Sequence, residues 1–128
     1  MTRQNSLLKI LFVDDEEYLV DVGREMLEDH GYAVDITTSA AQALEWTQKA
    51  PDRYGLLITD YTMPEMAGDV FIERIHALSP GLPVILCTGI EPPPKMMENV
   101  AADLLLMKPF DMDSLIHAVE KIFGSPQG

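Results

Sequence analysis

Cysteine is nearly absent from this chain. Cys87 is the only one in 128 residues, so no internal disulfide can form. It sits in the run Pro83–Val84–Ile85–Leu86–Cys87 and reads as a buried apolar thiol. Positive charge is also scarce: 9 Lys and Arg stand against 21 Asp and Glu, a net charge of −12. That balance opposes nucleic-acid backbones and anionic lipid surfaces, so neither DNA binding nor membrane contact is expected of this span. Apolar runs are short, and none approaches the ~18 residues of a membrane-spanning helix. Met1–Ser6 is too short and polar to read as a secretory signal, which makes the cytoplasm the default expectation. The three histidines, His30, His76 and His117, are scattered, with no metal or triad spacing.

What the chain does have is a regular alternation. Its length suits one domain, which at this size buries about 65–70% of the unfolded surface. Leu7–Val13, Ala33–Thr37, Leu56–Asp60, Leu82–Cys87 and Leu104–Met107 read as short strands. Between them lie stretches of helical period. Leu19, Val22, Gly23, Met26 and Leu27 mark one helix, which Gly31 should close. Ser39 can cap a second that carries Ala40, Ala43, Leu44 and Thr47, with Pro51 ending it. A third runs from about Asp69 to Leu78 with Phe71, Ile75 and Leu78 inward. The last spans roughly Asp111–Phe123 with Leu115, Val119 and Ile122 inward. Strands interleaved with helices predict a mostly parallel sheet covered on both faces. Pro92–Pro94 allow at most a short helix from about Lys95 to Val100.

Charged residues follow three of the strands: Asp14 and Asp15 after the first, Asp60 at the end of the third, Lys108 after the fifth. The carboxyl ends of parallel strands are where ligand sites form. An acidic pair followed by Glu16–Glu17 can also be a solvated turn and helix cap, and Lys108 taken alone can be a surface lysine. Clustered carboxylates repel, and a hard divalent cation such as magnesium relieves them. Lys108 can hold a phosphoryl oxygen. Thr88 ends the fourth strand, where its hydroxyl can meet a phosphoryl oxygen or a backbone group. Gly89 leaves that place open. Thr59 should point away from the Asp60 carboxylate by strand alternation. Trp46 and the methionines suit packing, with Met63 at the border of the pocket.

Val13–Asp14–Asp15–Glu16, Asp60 with Met63–Pro64 and Gly68, Thr88, and Lys108–Pro109–Phe110 stand in a characteristic order and spacing. Together they resemble a response-regulator receiver domain, the phosphoacceptor module of two-component signalling, over nearly the whole chain. The resemblance implies an α/β, doubly wound, flavodoxin-like (βα)5 domain. Its five-stranded parallel sheet would have order 2-1-3-4-5, with helices on both faces. It would span residues 7–123, with 1–6 a disordered tail and 124–128 a tail or truncated linker. Asp60 would accept a phosphoryl group from a histidine kinase or a histidine phosphotransfer domain. Asp15, Asp60 and the backbone carbonyl of Thr62 would ligate Mg2+, for which Mn2+ could substitute, with Asp14 acting mostly through water. Thr88 and Lys108 would grip the phosphoryl group. Such a domain catalyses only its own phosphorylation and dephosphorylation, so it is not an enzyme in the turnover sense. A fused output or kinase domain and a weak dimer are both compatible with it.

The pattern departs from the family in three places. Leu105 stands where an aromatic switch residue is usual, Pro92–Pro94 interrupt the usual fourth helix, and Gly89 stands where alanine or another small residue is usual; Thr62, also small, borders the same approach, so no bulky shield is expected. Coupling through the loop after the fourth strand and a short-lived phosphoryl group are the corresponding expectations. Three other readings compete. A flavin-binding domain would want Ser, Thr or Gly after the first strand. An aspartate-based phosphatase would want Asp-x-Asp there. A degenerate receiver acting only as a docking surface would not need the intact acidic set.

Overall fold

The computed structural model describes residues 8–89 and 100–124. Five strands form one parallel sheet: β1 (Lys9–Val13), β2 (Ala33–Thr37), β3 (Tyr54–Asp60), β4 (Val84–Thr88) and β5 (Leu104–Met107). Their order is β2-β1-β3-β4-β5, as expected. Four helices are described, α1 (Glu17–Asp29), α2 (Ala40–Lys49), α3 (Gly68–Leu78) and α4 (Met112–Phe123). The Pro92–Pro94 stretch and nearly all of the helix expected after it, together with the expected tails, lie outside the described residues apart from Gly124.

Strand alternation sorts the core into two layers. Ile10, Phe12, Leu56, Ile58, Ile85 and Cys87 face α1 and α4, where Val20, Leu27, Leu115, Val119 and Phe123 meet them. Leu11, Val13, Leu57, Val84 and Leu86 face α2 and α3, against Ala40, Ala43, Phe71, Ile72 and Ile75. Both faces are therefore apolar, which is why β1 and β4 read as unbroken hydrophobic runs. Each fully buried Leu, Ile or Phe contributes about 1.5–3 kcal/mol of transfer free energy.

Helix ends follow the local chemistry. Gly31 adopts φ 96 just past α1. The Gly31 N–H donates to Glu28 O at 2.9 Å and the Tyr32 N–H to Leu27 O at 3.1 Å, the paired bonds of a left-handed helix stop. Ser39 caps α2 by accepting from the Gln42 N–H, and Asp111 caps α4 by accepting from the Ser114 N–H. That bond holds the exposed Asp111 carboxyl below its ordinary range.

Boundaries differ from the sequence expectation where side chains reach across elements. β3 begins earlier, at Tyr54, whose buried ring is fixed by its hydroxyl donating to Asp35 Oδ2 at 2.7 Å. β4 begins only at Val84 and includes Thr88. Pro83 has no N–H to give, though its carbonyl accepts from the Leu57 N–H at 2.9 Å. β5 is not buried on both sides as its run suggested. It is an edge strand, with Leu104–Leu106 half-buried and Met107 exposed. Leu78 and Ile122 are likewise only half-buried.

Gly23 marks the tightest approach of α1 to the sheet. A Cβ there would lie 2.3 Å from Cε2 of Phe12, a ring with no exposed surface to swing toward. Gly23→Ala is expected to destabilise the fold by about 1–3 kcal/mol despite its better helix propensity, read as a lower urea midpoint.

Candidate functional site

The alternation that builds the α1/α4 layer also builds the site. Phe12, Ile58, Cys87 and Leu106 lie on one face, and two residues beyond Phe12, Ile58 and Leu106 come Asp14, Asp60 and Lys108. The registers Val13↔Thr59 and Asp60↔Cys87 set these strand ends level. The hydrophobic stripe thus ends in charge at the carboxyl edge of the sheet. Asp14 has no exposed surface, Asp60 is 5% exposed, and Asp15 sits in solvent as the chain leaves the strand. One oxygen from each of these three carboxylates lies within 4.8 Å of the others.

Lys108 supplies the counter-charge. Its Nζ is 2.8 Å from Asp14 Oδ2, 3.0 Å from Glu16 Oε2 and 3.5 Å from Asp60 Oδ2. The buried Asp14 Oδ2 has the Lys108 ammonium, 2.8 Å away, as its charge partner. The other oxygen, Oδ1, accepts from the Glu16 N–H at 2.9 Å. The acidic pair does make a turn, as one sequence reading had it, with Asp14 buried and Asp15 in solvent.

Two buried carboxylates against one ammonium leave an excess of negative charge. Burial and the neighbouring Asp14 charge, with a smaller push from Asp15, raise Asp60 to about 6, although Lys108 and the Thr62 N–H oppose this. Burial raises Asp14 as well, against the pull of Lys108 and the Glu16 N–H. Burial alone would lower Lys108. Asp14 and Glu16 at hydrogen-bond distance, with the Asp14 and Asp60 charges, reverse that and hold the ammonium well above an ordinary lysine. The donor set is all oxygen, convergent and under-neutralised, with two carboxylates buried beside a single ammonium. It fits a hard divalent cation.

The remaining expected residues fall around this cluster. Thr88 is buried at the end of β4, and its carbonyl accepts from the Lys108 N–H at 2.7 Å, which ties the ends of β4 and β5 together. Thr62 is exposed in the connection after β3. A Cβ on Gly89 would meet nothing within 4 Å. Thr59 turns its hydroxyl to the Asp60 carbonyl at 3.1 Å, away from the cluster. Met63 is buried among the α2/α3 layer, the packing role. Leu105 is half-buried against that same layer. The histidines stay apart: His30 Nδ1 meets Met26 O and His76 Nε2 meets Leu82 O.

Sequence reasoning missed Glu16 as a site residue. Its signal was its place directly after the acidic pair, where the charge run suggested only a solvated cap. It is α1's N-cap residue by position but makes no side-chain capping bond, which leaves its carboxylate for Lys108. Glu16, Leu19, Gly89, Lys108, Pro109 and Phe110 line a cavity of about 470 Å³ beside the acidic cluster. The Lys108–Pro109 peptide at its rim is cis.

Comparison with known proteins agrees with this geometry. The family model of the response regulator receiver domain matches residues 10–120. The transcriptional regulatory protein ZraR of Escherichia coli (strain K12) is 34% identical over 124 residues, covering 94% of this chain and 27% of that protein. The transcriptional regulatory protein FixJ of Rhizobium meliloti (strain 1021) is 35% identical over 112 residues, 85% of this chain and 53% of its own. The chain therefore spans about half or less of the length of these curated relatives. Among solved structures, a CheY-like receiver domain protein from Methanospirillum hungatei JF-1 superposes with TM-score 0.84 at 28% identity, covering 94% of this chain and 97% of that one. The chemotaxis protein CheY4 of Vibrio cholerae gives 0.81 at 28% identity, over 91% and 98%. A parallel sheet in this strand order, an acidic cluster at its carboxyl edge and a family match over most of the length lead to one assignment: the chain belongs to the response regulator receiver domain family of two-component signalling.

Proposed function

We propose that Asp60 is the phosphoacceptor of this receiver domain, taking a phosphoryl group from a partner's phosphohistidine in a magnesium-dependent reaction. The observation that carries this reading is the convergence of Asp14, Asp15, Asp60 and Lys108 at one sheet edge. An Asp60 carboxylate oxygen attacks phosphorus in line. The N–P bond breaks with its electron pair left on the ring nitrogen, so a donor ring protonated on its other nitrogen leaves as neutral imidazole. The product is an aspartyl phosphate.

Asp15, Asp60 and the Thr62 carbonyl would hold the cation, and Asp14 would act through water. Bound there, magnesium would supply positive charge to the transferring oxygens. Lys108, kept protonated by its acidic neighbours, moves from Asp60 to the arriving phosphoryl oxygen, and the Thr88 hydroxyl donates to another. Asp60 is both nucleophile and product carrier, so the domain acts only on itself. The exposed Tyr18 and the cavity lined by Leu19 and Phe110 support docking of the phosphodonor partner beside the site. That partner is a histidine kinase or a histidine phosphotransfer domain, and a fused output or kinase domain is compatible with this reading.

Incubation with magnesium and a small phosphodonor should add one phosphoryl group to the intact mass, and Asp60→Asn should remove that gain. An unchanged gain in the variant would move the acceptor elsewhere. With Thr62 exposed and Gly89 open, the isolated aspartyl phosphate should decay in minutes; persistence over many hours would contradict an unshielded site.

The raised carboxyl also has a stability signature. A folded-state value of about 6, against 3.8 unfolded, means the fold gains most with Asp60 protonated. That stabilisation is complete below pH 3.8 and lost as pH rises through 6. Asp60→Asn should therefore stabilise the magnesium-free domain at pH 7.5 by about 1–3 kcal/mol, a gain that shrinks toward pH 4. Millimolar magnesium should raise the melting temperature of the wild type more than that of the variant.

A further inference from the structure

The connection from β3 to α3, residues 61–67, is pinned to a helix it does not adjoin in sequence. Its base is narrow: the Gly68 N–H donates to Tyr61 O at 2.7 Å. A Cβ on Gly68 would fall 2.7 Å from both Cα and the carbonyl oxygen of Tyr61, so no side chain fits there. Further round, the Glu65 carboxylate straddles the start of α2. Its Oε1 accepts from the Ala40 N–H at 2.6 Å and its Oε2 from the Ser39 hydroxyl at 3.1 Å.

The first N–H groups of a helix have no acceptor within it. Ser39 Oγ already serves the Gln42 N–H at 3.1 Å, and the Ser39 N–H is spent on Thr37 Oγ1 at 3.0 Å. Glu65 satisfies Ala40, the first residue of α2, and puts negative charge at the positive end of the helix. The helix is thus capped twice, once locally and once from 25 residues away in sequence.

The same two bonds act in reverse on the loop. With its base closed on Tyr61 and its far part held to α2, the stretch between has little freedom. That stretch contains Thr62, two residues past Asp60, whose N–H pulls the Asp60 carboxyl down toward its ordinary range. We infer that Glu65 is a positioning residue for the cation site: by clamping this loop to α2 it fixes the Thr62 main chain beside Asp60, and so sets magnesium affinity. This rests on the metal site proposed above. Glu65 touches neither the phosphoryl group nor the ion; it acts through Thr62.

The test is titration of the whole chain with magnesium chloride by calorimetry, alongside phosphodonor labelling at varied magnesium. In Glu65→Ala the half-saturating magnesium concentration should rise about tenfold, as for loss of an outer-shell support. The labelling rate at saturating magnesium should fall far less. Glu65→Gln keeps an acceptor for the Ala40 N–H and a donor for Ser39 Oγ, and should recover most of the affinity. Ala43→Gly weakens α2 without touching the clamp; it should lower the melting temperature and leave magnesium half-saturation in place. Unchanged magnesium affinity in Glu65→Ala, or an equal shift in Ala43→Gly, overturns the proposal. Absence of magnesium binding in the wild type would overturn the metal site itself, a result separable from either.

Discussion

Two buried carboxylates sharing one ammonium at the edge of a parallel sheet constrain everything else in this domain. Asp14 has no exposed surface and Asp60 nearly none, so neither can be solvated as a free ion. Lys108 answers both, yet it also answers Glu16. The cluster therefore stays short of positive charge in the protein alone. A core of apolar strands on either side holds the three groups where repulsion would otherwise spread them. The fold spends part of its packing energy keeping an unfavourable arrangement together, as sites that wait for a ligand commonly do.

Much of this was legible in the chain because the governing signal is local. Strand, helix and stop each leave a mark within a few residues: the run ending at Val13, the glycine at position 31, the Ser39 cap. Alternation then carries the eye from Phe12 to Asp14 and from Ile58 to Asp60, so the face on which the acids emerge follows from parity alone. The family's motif supplied the roles that parity cannot. What stayed hidden depends on long-range partners. Nothing near Tyr54 announces that its hydroxyl will meet Asp35 and extend β3. Nothing near Glu65 announces Ala40. β5 read as buried because LLLM is apolar, but position at the sheet's edge, a global property, decides its exposure.

Glu16 shows a subtler failure. Acidic residues after a strand and before a helix are ordinary caps, and the sequence reading used Glu16 and Glu17 to argue for that. In the structure Glu16 occupies the cap position without capping by its side chain, and bonds Lys108 instead. Local propensity named the right place and the wrong partner, because the competing cation arrives from 92 residues away.

The same geometry bears on how a change at Asp60 can reach the surface. Lys108 is held at both ends: its side chain by the acids and its N–H by the Thr88 carbonyl. A shift in the balance of charge around Asp60 would thus act on the joined ends of β4 and β5. β5 is the least buried strand, and Leu105 on it packs against the α2/α3 layer by apolar contact alone. A leucine there offers no hydroxyl or ring to register a new rotamer against a hydrogen-bonding partner. On the function proposed above, a transmitted change would run through the main chain around Thr88 and Lys108, where a hydrogen bond of 2.7 Å couples the two segments. A two-state response of this kind needs only that the ligand-bound site favour one arrangement of those strand ends over the other. An edge strand with half-buried side chains is the part of this sheet that can move at least cost.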